Sequence, residues 1–247
     1  MSRRPLPIAL TLVLLATGCA AAPADPDRIV VFAAASLRGA FTELDTAFRG
    51  GDPGASVELA FAGSADLLAQ LTGGARADVF ASADTATMDR ALEAGLVDEP
   101  TAFATNTLTI VVAPGNPKAI KTFADLRGVS VVACAVQVPC GAARARIEAA
   151  TGVDLAPVSE ETSVTDVVNK IISGQADAGL AYVTDARAAA GRVAVVAIPE
   201  SAAAVNTYRI ALTRDAANPA GGRAFIEVLT GPTGQEILRA AGFGAPQ

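Results

Sequence analysis

The feature that most constrains this chain is an alternation. Short unbroken apolar runs take turns with apolar stripes at helical spacing, from Ile29 almost to the last residue. Residues 29–34 (IVVFAA) read as a strand buried on both faces, the pattern of a parallel sheet. Leu37, Ala40, Phe41, Leu44 and Phe48 follow at the spacing of an amphipathic helix. The pattern repeats: strands at 57–62 and 78–81 precede stripes on Leu67, Leu68 and Leu71 and on Met88, Ala91, Leu92 and Leu96. A second set begins with strands at 108–112 and 129–133, a helix at about 141–150, and the stripe Val164, Val167, Val168, Ile171, Ile172. Strands at 179–183, 193–198 and 208–213 and helices near 220–229 and 233–240 close the chain. Strand after helix after strand over this length predicts an α/β fold built on parallel sheets. The Ala-rich patches at 188–190 and 202–204 read as surface turns or short helices.

The first residues belong to a different grammar. Arg3 and Arg4 precede an apolar stretch at 8–16 that is too short to span a bilayer, as in an export signal. Leu15-Ala16-Thr17-Gly18-Cys19 resembles a bacterial lipobox, which implies cleavage after residue 18 and a lipid on Cys19. Residues 1–18 are then a lipoprotein signal peptide and residues 19–27 a flexible tether. The expected location is the outer face of the cytoplasmic membrane, held there by lipid.

Composition removes whole classes of chemistry. The chain has no His, which excludes Ser-His-Asp and Cys-His nucleophiles and His-ligated metals. Its 3 Cys cannot build a four-thiolate site. The formal charge of −6, with no basic run, argues against nucleic acid as a partner. Removing the signal takes away two arginines and no acid, so the mature chain is more acidic still. Cys134 and Cys140 stand six apart in an oxidising compartment. A disulfide closing that small loop is the first reading, with free thiols as the alternative.

In open parallel sheets ligands bind beyond the C-terminal strand ends. There the chain places Ala35-Ser36, Gly63-Ser64, Val138-Pro139-Cys140-Gly141 and Thr162-Ser163-Val164, each opening a helix. Ser36 and Ser64 fall where N-caps belong. Helix starts offer unpaired N–H groups and partial positive charge, a setting for an anion. One serine at one helix start is an ordinary cap; four small polar helix starts in an exported chain without catalytic equipment form a pattern. The acid pairs Glu160-Glu161 and Asp98-Glu99 fall in loop-like, solvated stretches and support no enzyme.

At these same residues the chain resembles the molybdate-binding proteins of ABC transporters, of the type II periplasmic-binding-protein family. The resemblance is carried by residues 31–37 (VFAAASL), 61–65 (FAGSA), 77–84 (ADVFASAD), 138–141 (VPCG), 179–186 (GLAYVTDA) and the closing 231–243. It implies two lobes, each a mostly parallel sheet flanked by helices, closing over molybdate or tungstate. The expected borders are 28–108 with 210–247 for lobe I and 109–209 for lobe II, with hinge strands at 108–112 and 208–213. It also implies a ligand set: Ser36 and Ser64 by hydroxyl and N–H, Cys140 and Val164 by backbone N–H, and Tyr182 by its hydroxyl. Molybdenum enters as the oxyanion on those five residues. No catalytic residue, cofactor or further metal is expected, and the chain is expected to be a monomer serving membrane permease and ATPase subunits. Cys140 departs from the Ala of many relatives, a change that a backbone donor tolerates. The lipobox departs from a soluble signal and suits a cell without an outer membrane.

Two other readings compete. The same fold could hold sulfate, phosphate, ferric ion or an organic acid. Paired tyrosines would favour iron, but Tyr182 and Tyr208 are far apart in sequence, and an organic acid wants an arginine clamp that the serine loops lack. An exported enzyme using Ser36 or Ser64 lacks any His or Ser-x-x-Lys base.

Overall fold

The computed structural model describes residues 28–51 and 54–246. The signal peptide, the tether and Cys19 lie outside the described residues. Among those described, no helix is long and apolar enough to cross a membrane.

The chain forms two five-stranded sheets. The first contains β1 (Arg28–Ala34), β2 (Ser56–Ala62), β3 (Val79–Ser82), β4 (Thr101–Asn106) and β10 (Asn206–Leu212), in the order β2-β1-β3-β10-β4. The second contains β5 (Leu108–Val112), β6 (Val131–Cys134), β7 (Ser159–Glu161), β8 (Ala178–Tyr182) and β9 (Ala194–Val196), in the order β7-β6-β8-β5-β9. In each sheet the first three strands of that order are parallel and the fourth, β10 or β5, is antiparallel to both neighbours. The sheets are therefore mixed, with one reversed strand apiece, and share one topology.

The apolar stripes seen in the sequence cover these sheets. One face of the first sheet, through Val31, Ala33, Val79 and Ala81, packs on α1 (Arg38–Gly51), α7 (Pro219–Thr230) and α8 (Pro232–Ala241). Phe32 and Phe80 point the other way, onto Leu67, Leu68 and Leu71 of α2 (Ser64–Thr72) and Met88 and Ala91 of α3 (Thr85–Glu93). A continuous apolar strand thus fills two cores by simple alternation. The second sheet packs on α4 (Pro139–Thr151), α5 (Val164–Ile172) and α6 (Val183–Ala188). The two Ala-rich patches end α6 and form a 3₁₀ turn at Pro199–Ala204.

Three expectations need correction. Leu108 lies in β5 of the second sheet, and β10 pairs within the first sheet along its whole length from Asn206. The chain therefore crosses between the halves at Thr107 and at Val205, so residues 206–209 belong with the first half. Two strands were not foreseen. In β4 (TAFATN), small and polar residues flank a single Phe103. In β7, Glu160 and Glu161 do not float in a solvated loop: they sit on an edge strand, where Arg144 and Lys170 respectively pair with them.

Candidate functional site

The residues singled out at the helix starts converge. Ser36, Ser64, Cys140, Val164 and Tyr182 all line one cavity between the two sheets, about 20 Å³ in volume. A space that small accepts a compact ligand and excludes sugars, peptides and most organic acids, which need roughly 300 Å³ or more. No charged side chain lines it.

The local structure explains the convergence. Each parallel strand ends at the cleft, and the next helix starts there. Ser36 lies in a 3₁₀ turn (Ala35–Leu37) between β1 and α1. Gly63 caps α2, which makes Ser64 its first residue. Val138 caps α4, so Pro139 and Cys140 open it, and Ser163 caps α5 by accepting the Thr165 N–H at 3.2 Å. The expectation that Ser36 and Ser64 are N-caps is thus corrected: Ala34 and Gly63 take those positions without a side-chain hydrogen bond. The correction matters, because neither serine oxygen is consumed by its own helix. The first N–H groups of a helix have no acceptor within it. Several helix starts therefore present their N–H groups and positive dipole ends to one point.

The disulfide reading holds. Cys134 ends β6 and Cys140 opens α4, and they are bonded with their Cα atoms 5.6 Å apart. The bridge fixes the loop that carries the Cys140 N–H. Gly141 completes the device: a Cβ there would lie 1.8 Å from the Ala135 carbonyl oxygen, so only glycine lets the loop fold back this tightly.

The hydroxyls share a further property. Ser64 Oγ accepts the Ala83 N–H at 3.0 Å. Tyr182 Oη accepts from Asn206 Nδ2 at 2.7 Å. Ser36 Oγ lies 2.9 Å from Tyr208 Oη, which itself has Asn106 Nδ2 on its accepting side at 3.5 Å. Either hydroxyl can be the donor in the Ser36–Tyr208 pair. At Ser64 and Tyr182 the protein donates to the hydroxyl oxygen, which leaves the hydroxyl proton free to serve the cavity. A hydroxyl can donate or accept; at these two positions the neighbouring N–H groups favour the donor role. Burial, above all, pushes the Tyr182 and Tyr208 phenols up from their usual value, so both stay protonated.

These supporting partners were not legible in the sequence. Asn206, Tyr208, Asn106, Thr184 and Ala83 sit in other elements and reach the site only through folding. Asn106 Nδ2 donates to Thr184 Oγ1 at 2.8 Å and so ties β4 to α6. Tyr182 and Tyr208 do meet in space, with ring centroids 5.9 Å apart. As protonated phenols they are donors rather than ligands for ferric ion, and no cluster of Asp, Glu or Cys suited to a metal accompanies them among the described residues. The nearest arginine in sequence, Arg38, holds its guanidinium 4.5 Å over the Phe61 ring.

A larger groove of about 510 Å³ runs alongside, lined by Ser36, Arg38, Asn169, Asp185, Arg187 and Arg192 among others. Unlike the smaller cavity, it is lined by charged side chains. Its one unusual member is Asp185, whose Oδ2 is buried without a hydrogen-bond partner.

Comparison with known proteins agrees with this geometry. The family model described as bacterial extracellular solute-binding protein matches residues 29–244. The molybdate-binding protein ModA of Mycobacterium tuberculosis H37Rv is 55% identical over 234 residues, covering 92% of this chain and 90% of the relative. Among solved structures, the periplasmic molybdate-binding protein of Azotobacter vinelandii superposes with a TM-score of 0.77 at 21% identity, over 89% of this chain and 100% of that one. The sulfate-binding protein SubI of Mycobacterium tuberculosis H37Rv gives the same TM-score at 21% identity, over 87% of this chain and 86% of that one. The fold is thus common to binders of different oxyanions, and the ligand must be read from the site. With these relatives, the chain belongs to the bacterial extracellular solute-binding protein family.

Proposed function

We propose that this protein captures molybdate, and tungstate with it, outside the cytoplasmic membrane and delivers the anion to the permease and ATPase subunits of an ABC importer. The observation that carries the reading is the uncharged cavity lined by Ser36, Ser64, Cys140, Val164 and Tyr182, in which the Ser64 and Tyr182 hydroxyls each accept from a protein N–H group. The two hydroxyls of the serines, that of Tyr182 and the N–H groups of Cys140 and Val164 are the ligands. A donor-only cage meets a fully ionised tetrahedral oxyanion without waste. It disfavours an anion that carries a proton, because that proton would find no acceptor; phosphate at neutral pH is largely such an anion. Sulfate is fully ionised but smaller, so a cage closing at the larger radius leaves its oxygens short of their donors. The molybdate-binding name of the 55% identical relative points the same way.

An enzyme is the weaker reading, because Ser36 pairs with Tyr208 and Ser64 with a backbone N–H, and neither touches a base. The mature protein is anchored through a lipid on Cys19, which keeps it near its permease. No cofactor is needed for capture.

The test is a thermal-shift series with molybdate, tungstate, sulfate and phosphate at equal concentration. A ligand that binds only the native state stabilises it by about 4 kcal/mol at a thousandfold excess over Kd. Molybdate and tungstate should raise Tm strongly and the other two little. A larger shift with sulfate or phosphate would overturn the assignment.

A further inference from the structure

Asn206 is 1% exposed, carries no charge and lies in neither the serine loops nor a helix start. Its carboxamide nevertheless contacts both halves beside the site. It stands at the first residue of β10, in the first sheet, just after the chain crosses from the second half. Nδ2 donates to Tyr182 Oη at 2.7 Å and lies 3.3 Å from the Pro139 carbonyl oxygen, both in the second half. It also lies 3.1 Å from the Ala83 carbonyl oxygen of the first half. Ala83 in turn donates its N–H to Ser64 Oγ, and Pro139 immediately precedes Cys140. On the other side, Arg146 of α4 donates to Oδ1 at 2.6 Å. Two carbonyls on one end and a guanidinium on the other fix which end is the amide nitrogen.

We propose that Asn206 is the positioning residue that couples closure of the two halves to the donor state of Tyr182. The inference rests on the oxyanion reading above and names a residue that reading does not. The physical step is simple. When the halves meet, Asn206 occupies a lone pair of the Tyr182 oxygen, and the phenolic proton is left to serve the neighbouring Tyr208 oxygen or an anion in the cavity. The same amide holds the α4 start and the Ala83–Ser64 connection in register. Without it, Tyr182 can turn its proton to another acceptor and the halves lose a buried link across the cleft. Arg146 keeps the amide from flipping, which would set a carbonyl against two other carbonyls and let it claim the Tyr182 proton.

The experiment is a double-mutant cycle read by calorimetric titration with sodium molybdate, together with stopped-flow dissociation and apo melting curves. Asn206→Asp keeps the shape and the Arg146 contact but turns the donor into an acceptor that claims the Tyr182 proton. It should weaken molybdate binding by roughly a hundredfold, mostly through faster dissociation, as expected for loss of a hydrogen bond to a charged ligand and of a link formed on closure. In the Tyr182→Phe background the same change should cost markedly less, because there is no proton left to divert. Arg146→Met, at an exposed position outside the cavity, should leave the apo melting curve near wild type and weaken binding by a few-fold, so the inference stays testable if Asn206→Asp folds poorly. Additive costs in the cycle, or unchanged dissociation in both Asn206→Asp and Arg146→Met, would overturn the role of Asn206. Failure of the wild type to bind molybdate would instead overturn the oxyanion reading itself.

Discussion

A single hydroxyl decides much at this site, because each one is hydrogen-bonded to a fixed partner in the protein. Ser36→Ala and Tyr182→Phe should each weaken molybdate binding by about 1.5–3 kcal/mol, the loss of a hydrogen bond to a charged group. Ser64→Ala should do the same and also lower apo stability by about 1–3 kcal/mol, since it strands the buried Ala83 N–H. Calorimetry beside apo melting separates the two effects, and equal apo stability of Ser64→Ala and wild type would contradict the pairing. Asp185 gives a second test at this scale, in pH. Burial raises its carboxyl to about 7, against the pull of the backbone N–H groups of Asp185 and Tyr182, and its Oδ2 has no partner. Arg38, Arg187 and Arg192 line the same groove, and the Tyr182 and Tyr208 phenols feel its charge. In the unfolded chain this group titrates near the ordinary value of 3.8. Between these values the folded state holds a proton that the unfolded state has lost. Its contribution to stability is complete below the unfolded value and is lost as pH rises through about 7. Urea midpoints should therefore fall from pH 5 to pH 8, and Asp185→Asn should flatten that slope. A wild-type midpoint that rises over this window with Asp185→Asn unchanged would refute the assignment.

At the scale of elements, the disulfide loop between β6 and α4 is the most constrained segment. Replacing both cysteines by serine releases a short loop, worth about 2 kcal/mol by chain entropy. It also frees the α4 start that carries the Cys140 N–H. Both Tm and molybdate affinity should fall in Cys134→Ser/Cys140→Ser, and an unchanged affinity would show that Gly141 and Pro139 hold the loop alone. What the sequence made legible follows from the same elements. Strands β1 and β5 were readable because they are buried on both faces and so appear as unbroken apolar runs. Helix α5 was readable because its buried residues, Val164, Val167, Val168 and Ile171, sit at helical spacing. Strand β7 was not, since an edge strand whose acids find Arg144 and Lys170 leaves no apolar trace. The first residue of β10, Asn206, is polar for a different reason: it faces the site rather than a core. That one fact hid both the true start of the strand and the residue that reaches Tyr182. Of the ligand-facing residues named from the family motifs, Ser36 and Ser64 follow strands that were legible and Tyr182 ends one, whereas Val164 follows β7, which was not. Asn106 and Asn206, which support the hydroxyls, come from a strand and a strand end that left no apolar trace.

For the whole molecule, two sheets of one topology face each other across a cleft, and the chain links them only at Thr107 and Val205. An acidic protein gains nothing from its overall field in attracting a dianion, so affinity must come from enclosing it among local donors. Enclosure needs close approach of the halves, and one such approach is at Gly63. A Cβ built there would lie 2.2 Å from the Thr162 carbonyl oxygen, across the cleft and beside both Ser64 and Val164. Carbon and oxygen cannot come so near without bonding, so Gly63→Ala must hold the halves apart. The backbone at Gly63 is extended with φ −59°, which alanine adopts without strain, so the substitution leaves the first half intact. Apo Tm should therefore stay close to wild type. Binding should fall by about a hundredfold or more, because the donors of Cys140, Val164 and Tyr182 no longer reach an anion seated on Ser36 and Ser64. Small-angle scattering should show wild type contracting on addition of molybdate and Gly63→Ala failing to contract. If Gly63→Ala bound molybdate as wild type does and contracted with it, the anion would have to be held without closure, and the cage formed by the two halves would not be the source of affinity.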